Sequence, residues 1–243
     1  MKKITLALLL LLALYSCHTA RIDGGNFKIS SSTTALGTIG VASLKSNSKN
    51  EFLTKAIPVL EQKIRLDVKI LPLNKKLTGI YADKASTDQT LPPLIYNDSL
   101  ALKPEYVVIT LYDTNSYTGE LNSTKNSEVY TLIKDTQEIS IVSAVAVVFP
   151  GPILEQLREA DTYYLMCSAD QKYTLSLYNQ GKQSARIDIG SATTLAYFLS
   201  KPCWAENERD QWYIADLVPS SHSCLGLSKE KIKEKEENNL FKM

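Results

Sequence analysis

The side chains best suited to chemistry lie in one short segment near the C-terminus. It holds three acids, Glu206, Glu208 and Asp210, between Trp204 and Trp212. Carboxylates at alternate positions can supply oxygen ligands to calcium, and a pair of carboxylates can cleave a glycosidic bond. A calcium loop normally adds a glycine for its sharp turn, and this segment has none. We therefore interpret the acids as a solvated turn between two strands, and we predict neither a metal site nor a cofactor.

The two tryptophans give the same segment a second interpretation. A tryptophan beside a loop either packs into the core or offers a surface on which a sugar or a peptide can stack. Core packing is the more frequent outcome. If the protein recruits a partner or ligand, we nevertheless expect the contact at the surface formed by Trp204, Trp212 and the three acids, or at an exposed sheet edge.

Standard catalytic signatures are missing from the sequence, which has no Gly-x-Ser-x-Gly elbow and no His-Glu-x-x-His. Residues 46–49 match Ser-x-x-Lys but lack the partner motifs of penicillin-recognising enzymes. His222 is the only histidine besides His18, and its serine-rich surroundings predict a loop. We predict no catalytic residue. The alternative is a glycan or peptide hydrolase with a carboxylate pair drawn from Asp161, Asp188, Glu206, Glu208 and Asp210.

The N-terminal segment has the parts of an export signal. Lys2 and Lys3 precede an unbroken apolar run over residues 4–14, which is too short to span a bilayer. Leu14-Tyr15-Ser16-Cys17 follows, and it resembles the lipobox of bacterial lipoproteins.

The resemblance implies that Cys17 becomes the lipidated N-terminus, and two or three acyl chains would hold a domain at a membrane. His18 stands where an aspartate would resemble the inner-membrane retention signal, so we expect the outer membrane.

The chain then divides by composition. We predict a signal peptide over 1–16, a lipidated tether over 17–26, a globular domain over 27–227 and a charged flexible tail over 228–243. The domain is either one unit or two subdomains divided near residue 104. Cleavage before Cys17 removes two of the 27 basic residues, so the mature chain has one basic residue fewer than its 26 acids. A nearly neutral chain is not expected to bind nucleic acid.

Three further cysteines remain for an oxidising compartment. Cys167 lies in an apolar, strand-like run and is expected to be a buried thiol, whereas Cys203 and Cys224 lie in loop-like sequence. A disulfide between Cys203 and Cys224 is therefore preferred, and pairing through Cys167 stays open.

Apolar and β-branched runs predict the main elements. We expect strands over 106–112 and 139–149, the second of them central because it is apolar without alternation. We expect helices over 50–64, over 127–134 and from Pro152 to about residue 160, and a long surface loop over 74–104. Short strands then follow over 162–167, 173–178, 184–189, 194–199 and 212–218, with a hairpin turn at Gly181.

These elements predict an α+β fold, with helices packed on one mixed or antiparallel sheet and a C-terminal antiparallel meander. For function we expect a membrane-anchored envelope lipoprotein that acts as a non-enzymatic binding or assembly module for an envelope protein or a glycan. Besides the hydrolase, a second alternative is a small-ligand carrier with an apolar cavity beneath the helices.

Overall fold

The structure is a computed structural model, and it describes residues 19–30, 34–42, 51–87, 91, 94, 96–97, 103–167 and 172–232. The predicted signal peptide, the lipid attachment expected at Cys17 and the Ser-x-x-Lys match at 46–49 lie outside the described residues. The predicted tail lies outside them from residue 233 onward.

Twelve strands and four helices form the regular structure of these residues. The strands are β1 (Thr19–Ile22), β2 (Gly25–Ile29), β3 (Ile39–Ala42), β4 (Phe52–Ala56), β5 (Ile64–Pro72), β6 (Glu105–Leu111), β7 (Ile139–Val148), β8 (Thr162–Cys167), β9 (Tyr173–Asn179), β10 (Lys182–Asp188), β11 (Thr193–Glu206) and β12 (Trp212–Pro219). The helices are α1 (Lys75–Thr87), α2 (Thr114–Leu121), α3 (Ser127–Asp135) and α4 (Gly151–Glu159). Two 3-10 turns lie at Thr124–Asn126 and Ile189–Ser191.

The strands form one sheet in which every described pair is antiparallel. The main order is β1-β2-β11-β7-β6-β5-β8-β9-β10, with β12 beside β11 and with β3 between β7 and β4. All ten residues of β7 are buried. This confirms that the apolar run over 139–149 is a central strand, covered on both faces.

The fold thus combines helices with a dominant antiparallel sheet, and the predicted C-terminal meander of β8, β9 and β10 is confirmed. The β9–β10 turn has Gln180 and Gly181 at φ +50° and +76°. A two-residue hairpin turn of type I′ requires positive φ at both positions, as the sequence predicted for Gly181.

Different elements cover the two faces of the sheet. On the inner face, side chains such as Leu66, Ile109 and Val145 belong to the core that also contains residues of α2, α3 and α4. On the outer face, Val108 and Ala146 pack with residues of α1 and of the β1–β2 hairpin.

Only part of the outer face is covered. The β1–β2 hairpin folds back across the sheet, so that the Asp23 carboxylate in its turn lies 2.6 Å from Lys69 Nζ of β5. Helix α1 packs over β6, β7 and β11 through Leu77 and Tyr81. Among the described residues, neither element extends over the outer sides of β8, β9 and β10.

The predicted helix over 50–64 is wrong. Phe52–Ala56 is strand β4, and Phe52 is buried with its ring centroid 5.8 Å from that of Tyr197, whereas Leu53 is exposed. Pairing with β3 therefore decides the conformation, although the apolar spacing fits a helix.

The predicted loop over 74–104 is wrong for its first half, which contains α1. The Asn74 side chain accepts the Leu77 N–H at 2.9 Å and caps the start of the helix. Leu73, Leu77 and Tyr81 recur at four-residue spacing and bury one helix face. The exposed Gly79 lies on the other side of the helix and does not interrupt it.

Three predicted boundaries also look different in the structure. Residues 19–22 and 25–26 of the predicted tether belong to β1 and β2. Strand β5 pairs with β6 across residue 104, so residues on both sides of that position share one sheet. At the start of the predicted tail, Lys229 exchanges two backbone hydrogen bonds with Trp204, at 2.7 and 2.8 Å.

Candidate binding surface

A row of side chains crosses the uncovered part of the outer face. Arg65 on β5 pairs directly with Tyr164 on β8, and Ser176 on β9 lies between Tyr164 and Arg186 of β10. Tyr112 follows β6 and donates its backbone N–H to the Arg65 carbonyl at 3.0 Å. Directly paired residues of antiparallel strands project from the same face. We call Tyr112, Arg65, Tyr164, Ser176 and Arg186 the outer row. Tyr112, Arg65 and Arg186 are exposed, Tyr164 is half-buried and Ser176 is buried.

Cations already lie against the aromatic rings of this surface. The Arg65 guanidinium carbon is 5.6 Å from the ring centroid of Tyr112. Lys63 Nζ lies 4.4 Å from the ring centroid of Tyr164 and 4.7 Å from that of Tyr178. These two rings meet edge to face, with centroids 5.1 Å apart. Such contacts are each favourable by about 0.5 to 1 kcal/mol at exposed sites, so they favour these ring positions.

The surface carries positive charge that the described residues leave unpaired. Lys63, Arg65 and Arg186 are exposed, and none of them has a salt bridge to a described carboxylate. Lys69 differs, because it pairs with Asp23 and lies 3.6 Å from Asp67. The row therefore presents two guanidinium groups, which can bind anionic groups of a ligand, and two tyrosine rings, which can pack on its flat faces.

The predicted surface at the tryptophans is only partly exposed. Trp204 is 3% exposed and packs edge to face on Tyr130, with ring centroids 5.5 Å apart. Trp212 is half-buried, and Lys229 Nζ lies 5.1 Å above its ring. The Tyr130 hydroxyl donates to the Trp212 carbonyl at 2.5 Å. Because Trp204 lies in the core, the two tryptophans do not form one exposed stacking surface.

The acids of that segment lie on an exposed turn between β11 and β12. The Asn207 side chain accepts the backbone N–H groups of Arg209 and Gln211 at 2.9 and 3.0 Å, and Asp210 has φ +58°. Glu206, Glu208 and Asp210 are all exposed there. The structure thus agrees with a solvated turn, and the turn is organised by an asparagine.

The other two candidate carboxylates hold backbone in place. Asp161 accepts the Gln180 N–H at 2.7 Å and the Thr162 hydroxyl at 2.7 Å, and these hydrogen bonds lower the pKa of its carboxyl. Asp188 accepts the Gly190 N–H at 2.8 Å. The two acids lie at opposite ends of the β9–β10 hairpin, so the structure does not bring them together as a catalytic pair.

The predicted disulfide is confirmed. Cys203 of β11 and Cys224 are bonded, with Cα atoms 5.7 Å apart. Cys167 is outside the disulfide and is half-buried in β8. His222 is exposed in the loop before Cys224, and its Nδ1 lies 3.3 Å from the Ser221 hydroxyl. The described residues contain no group of three or more acids, histidines or cysteines placed to hold a metal ion.

Two recesses lie on the protein away from the outer row. A cleft of about 540 Å³ separates the α3–β7 turn from residues 230–232. Its lining is mostly polar and includes Lys134, Glu138 and Glu230 beside the apolar Ile133 and Trp204. A smaller apolar recess of about 260 Å³ is lined by Leu36, Ile57 and Tyr173. None of the helices in the described part of the chain is long and apolar enough to cross a bilayer.

Comparison with known proteins returned no relative: no protein-family model, no curated protein and no solved structure matches the chain. Sequence reasoning missed the outer row, although the alternation of charged and apolar residues over 63–70 signals one polar face of β5.

Proposed function

We propose that the protein is a lipoprotein of the bacterial envelope, attached through Cys17, which acts as a non-enzymatic binding module. The outer row is its binding surface. The observation that carries this proposal is the alignment of the exposed Tyr112, Arg65 and Arg186 with the half-buried Tyr164 across neighbouring strands on one face of the sheet.

The position of β1 supports an anchored module. Thr19 begins β1 only two residues after Cys17. Lys76 from α1, the helix on the outer face, donates to the Thr19 carbonyl at 2.5 Å. The start of β1 is therefore held by the helix that covers the same side of the sheet as the outer row.

The anchor is tested by comparing the natural protein with the Cys17→Ala variant in bacterial cells. We expect mass spectrometry of the natural protein to find a mature N-terminal peptide that starts at acylated Cys17. The protein should fractionate with membranes, and with the outer membrane in a density gradient, whereas the variant should not. An unmodified Cys17 in a protein free of membranes would refute the anchor.

The binding surface is tested by photo-crosslinking in the same cells. A photoreactive phenylalanine replaces Tyr112, which is 67% exposed on the outer row, or Tyr213, which is 40% exposed on β12. We expect a discrete adduct from position 112 and none from position 213. Equal labelling at both positions would show that the outer row has no special role.

A small-ligand carrier is the second candidate, and the cleft of about 540 Å³ beside Trp204 supports it. Volumes of that size accommodate drug-sized ligands. Native mass spectrometry of the purified lipidated protein should then show a bound small molecule that is released on denaturation. A single mass equal to that of the lipidated chain would count against this candidate.

A further inference from the structure

We propose that the ligand of the outer row is an acidic polysaccharide, bound as a linear chain across the strands from Tyr112 to Arg186. This inference rests on the proposed binding module and names its ligand class.

The two guanidinium groups of the row are spaced for a ligand with separated negative charges. Arg65 and Arg186 lie on strands that are three steps apart in the sheet, which corresponds to about 14 Å at ordinary strand spacing. A guanidinium binds a carboxylate through two parallel hydrogen bonds. A chain of uronic acid units would place one carboxylate near each arginine and leave intervening sugars over Tyr164.

The tyrosines supply the sugar contacts. The rings of Tyr112 and Tyr164 have polar hydroxyl tips, and neither hydroxyl has a hydrogen bond to another described residue. An aromatic face can pack on the C–H face of a sugar ring, while the hydroxyl can bond to sugar hydroxyl groups. Lys63 Nζ lies against the rings of both Tyr164 and Tyr178.

The acids of the same face form no salt bridge with its ligand-facing cations. Asp23 and Asp67 lie 2.6 and 3.6 Å from Lys69 Nζ, and Asp188 accepts the Gly190 N–H. Among the described residues, Lys63, Arg65 and Arg186 therefore have no carboxylate partner that a ligand would have to displace. A negatively charged chain gains these contacts, whereas a neutral glycan of the same length would keep only the stacking and hydroxyl contacts.

Nucleic acid and lipid head groups share some of this chemistry but fit less well. Nucleic-acid surfaces carry dense cations along a stripe, because each nucleotide brings a phosphate, and here two arginines are spread over four strands. A head group of one lipid would engage a single cation and leave the rest of the row empty. The length and regular spacing of the row favour a linear acidic glycan.

The test uses the full-length lipidated protein, purified in detergent, with galacturonic acid hexasaccharide as the probe. Calorimetry should detect binding of this probe, and the neutral cellohexaose should bind at least tenfold more weakly. The double variant Arg65→Gln and Arg186→Gln should lose at least tenfold in affinity for the acidic probe. The matched control Arg209→Gln, on the β11–β12 turn, should bind as the natural protein does.

A second pair of variants tests the rings. Tyr112→Ala should weaken binding of the acidic probe about threefold or more, and Tyr213→Ala should not change it. Unchanged thermal unfolding of every variant shows that the fold is intact. If the double variant Arg65→Gln and Arg186→Gln unfolds, the double variant Arg65→Lys and Arg186→Lys replaces it. Lysine keeps the charge and removes the two parallel hydrogen bonds, so the affinity should still fall.

Several outcomes would overturn the inference. These are no detectable binding of the hexasaccharide, equal binding of the neutral probe, or an equal loss with Arg209→Gln. Tighter binding of oligothymidylate, or of vesicles with phosphatidylglycerol, through the same arginines would assign the row to another ligand class. A surviving crosslink at position 112 with no glycan binding would preserve the binding module and refute only the glycan.

Discussion

Single polar side chains fix the irregular segment that connects β4 to β5. The Glu120 carboxylate of α2 accepts the backbone N–H groups of Glu61 and Gln62 at 3.1 and 3.0 Å. The Asn126 amide bonds to the N–H and the carbonyl of Val59 at 2.9 and 2.8 Å. The segment has no described sheet partner of its own, so these side chains supply hydrogen bonds to its backbone groups.

Gly40 provides a test at the same scale. A Cβ at this position would lie 2.1 Å from the Leu53 carbonyl oxygen, which is backbone and cannot rotate away. We expect Gly40→Ala to lower the free energy of unfolding by about 3 kcal/mol or more, because β3 and β4 must separate. Gly79→Ala in α1 is the control. It meets nothing within 4 Å and should raise that free energy by about 0.5 to 1 kcal/mol. Urea titration measures the free energy of unfolding of both variants. Similar changes in the two would contradict the close approach of Gly40 to the Leu53 carbonyl.

Asp113 gives a prediction for pH. It caps α2 by accepting the Ser116 hydroxyl and N–H at 2.7 and 2.9 Å, and these bonds lower the pKa of its carboxyl. A lowered folded pKa means that the stabilisation is complete above the unfolded pKa, near 3.9, and is lost as the pH falls through the folded pKa. Asp113→Ala should therefore cost about 1 kcal/mol at neutral pH and less at about pH 2. Chemical denaturation at both pH values measures this change, and Asp113→Asn should show a smaller dependence on pH.

At the scale of elements, sequence patterns predicted the strands, helices and turns whose conformation depends mainly on neighbouring residues. The β-branched run of β6, the apolar run of β7, Pro152 at the start of α4 and Gly181 at the hairpin turn all gave correct elements. The edge strand β4 was missed because the apolar spacing from Phe52 onward also fits a helix, and only the pairing with β3 decides between the two conformations. Helix α1 was missed because Gly79 and the polar residues after it suggested a loop, although Asn74 offered a cap.

The candidate site could not be predicted for a related reason. Arg65 and Arg186 are more than a hundred residues apart in sequence. Only the register of three strand pairings aligns them with Tyr164. A shift of one residue in any pairing would turn one of these side chains to the inner face. The sequence shows the polar face of β5, but it does not contain the register explicitly.

The outer edge of β12 is closed by a single side chain, and this gives a prediction for the element. The Asn122 amide accepts the Ile214 N–H at 2.9 Å and donates to the Ile214 carbonyl at 2.8 Å. Ile214 is 1% exposed, so Asn122→Ala leaves two buried backbone groups unpaired and should cost about 2 to 3 kcal/mol. Asn179→Ala, which removes one exposed bond to the Glu159 carbonyl, should cost under about 1 kcal/mol. Thermal unfolding compares them, and equal losses would contradict the closing of this edge.

Across the whole molecule, the C-terminal residues are held to the sheet by several independent contacts. The disulfide joins β11 to Cys224, Lys229 bonds to the Trp204 backbone, and Glu230 lies 2.6 Å from Lys201. Lys229 and Glu230 therefore contact the sheet, although their composition suggested a solvated tail from residue 228 onward.

The disulfide should account for a measurable share of total stability. Its cysteines are 21 residues apart, and closure of such a loop corresponds to about 3 kcal/mol on the chain-entropy model. The double variant Cys203→Ala and Cys224→Ala should lose about that much in free energy of unfolding, and hydrogen exchange at Lys229 should accelerate. Adding a reductant should weaken the natural protein by the same amount and leave the variant unchanged. If the natural protein were equally stable with the disulfide oxidised and reduced, this estimate would be refuted.

The β1–β2 hairpin has a mechanical consequence if Cys17 holds the chain to a bilayer. Thr19 pairs with Lys28, and β2 continues from there into the domain. A pulling force would therefore act on two neighbouring residues at the open end of the hairpin. A pull on the anchor would open the strand pairs one after another, starting at Thr19, and would not shear them together. Each freed residue would lengthen the connection by about 3.4 Å. The hairpin would thus let the connection between membrane and sheet lengthen under load, because its strand pairs open one at a time.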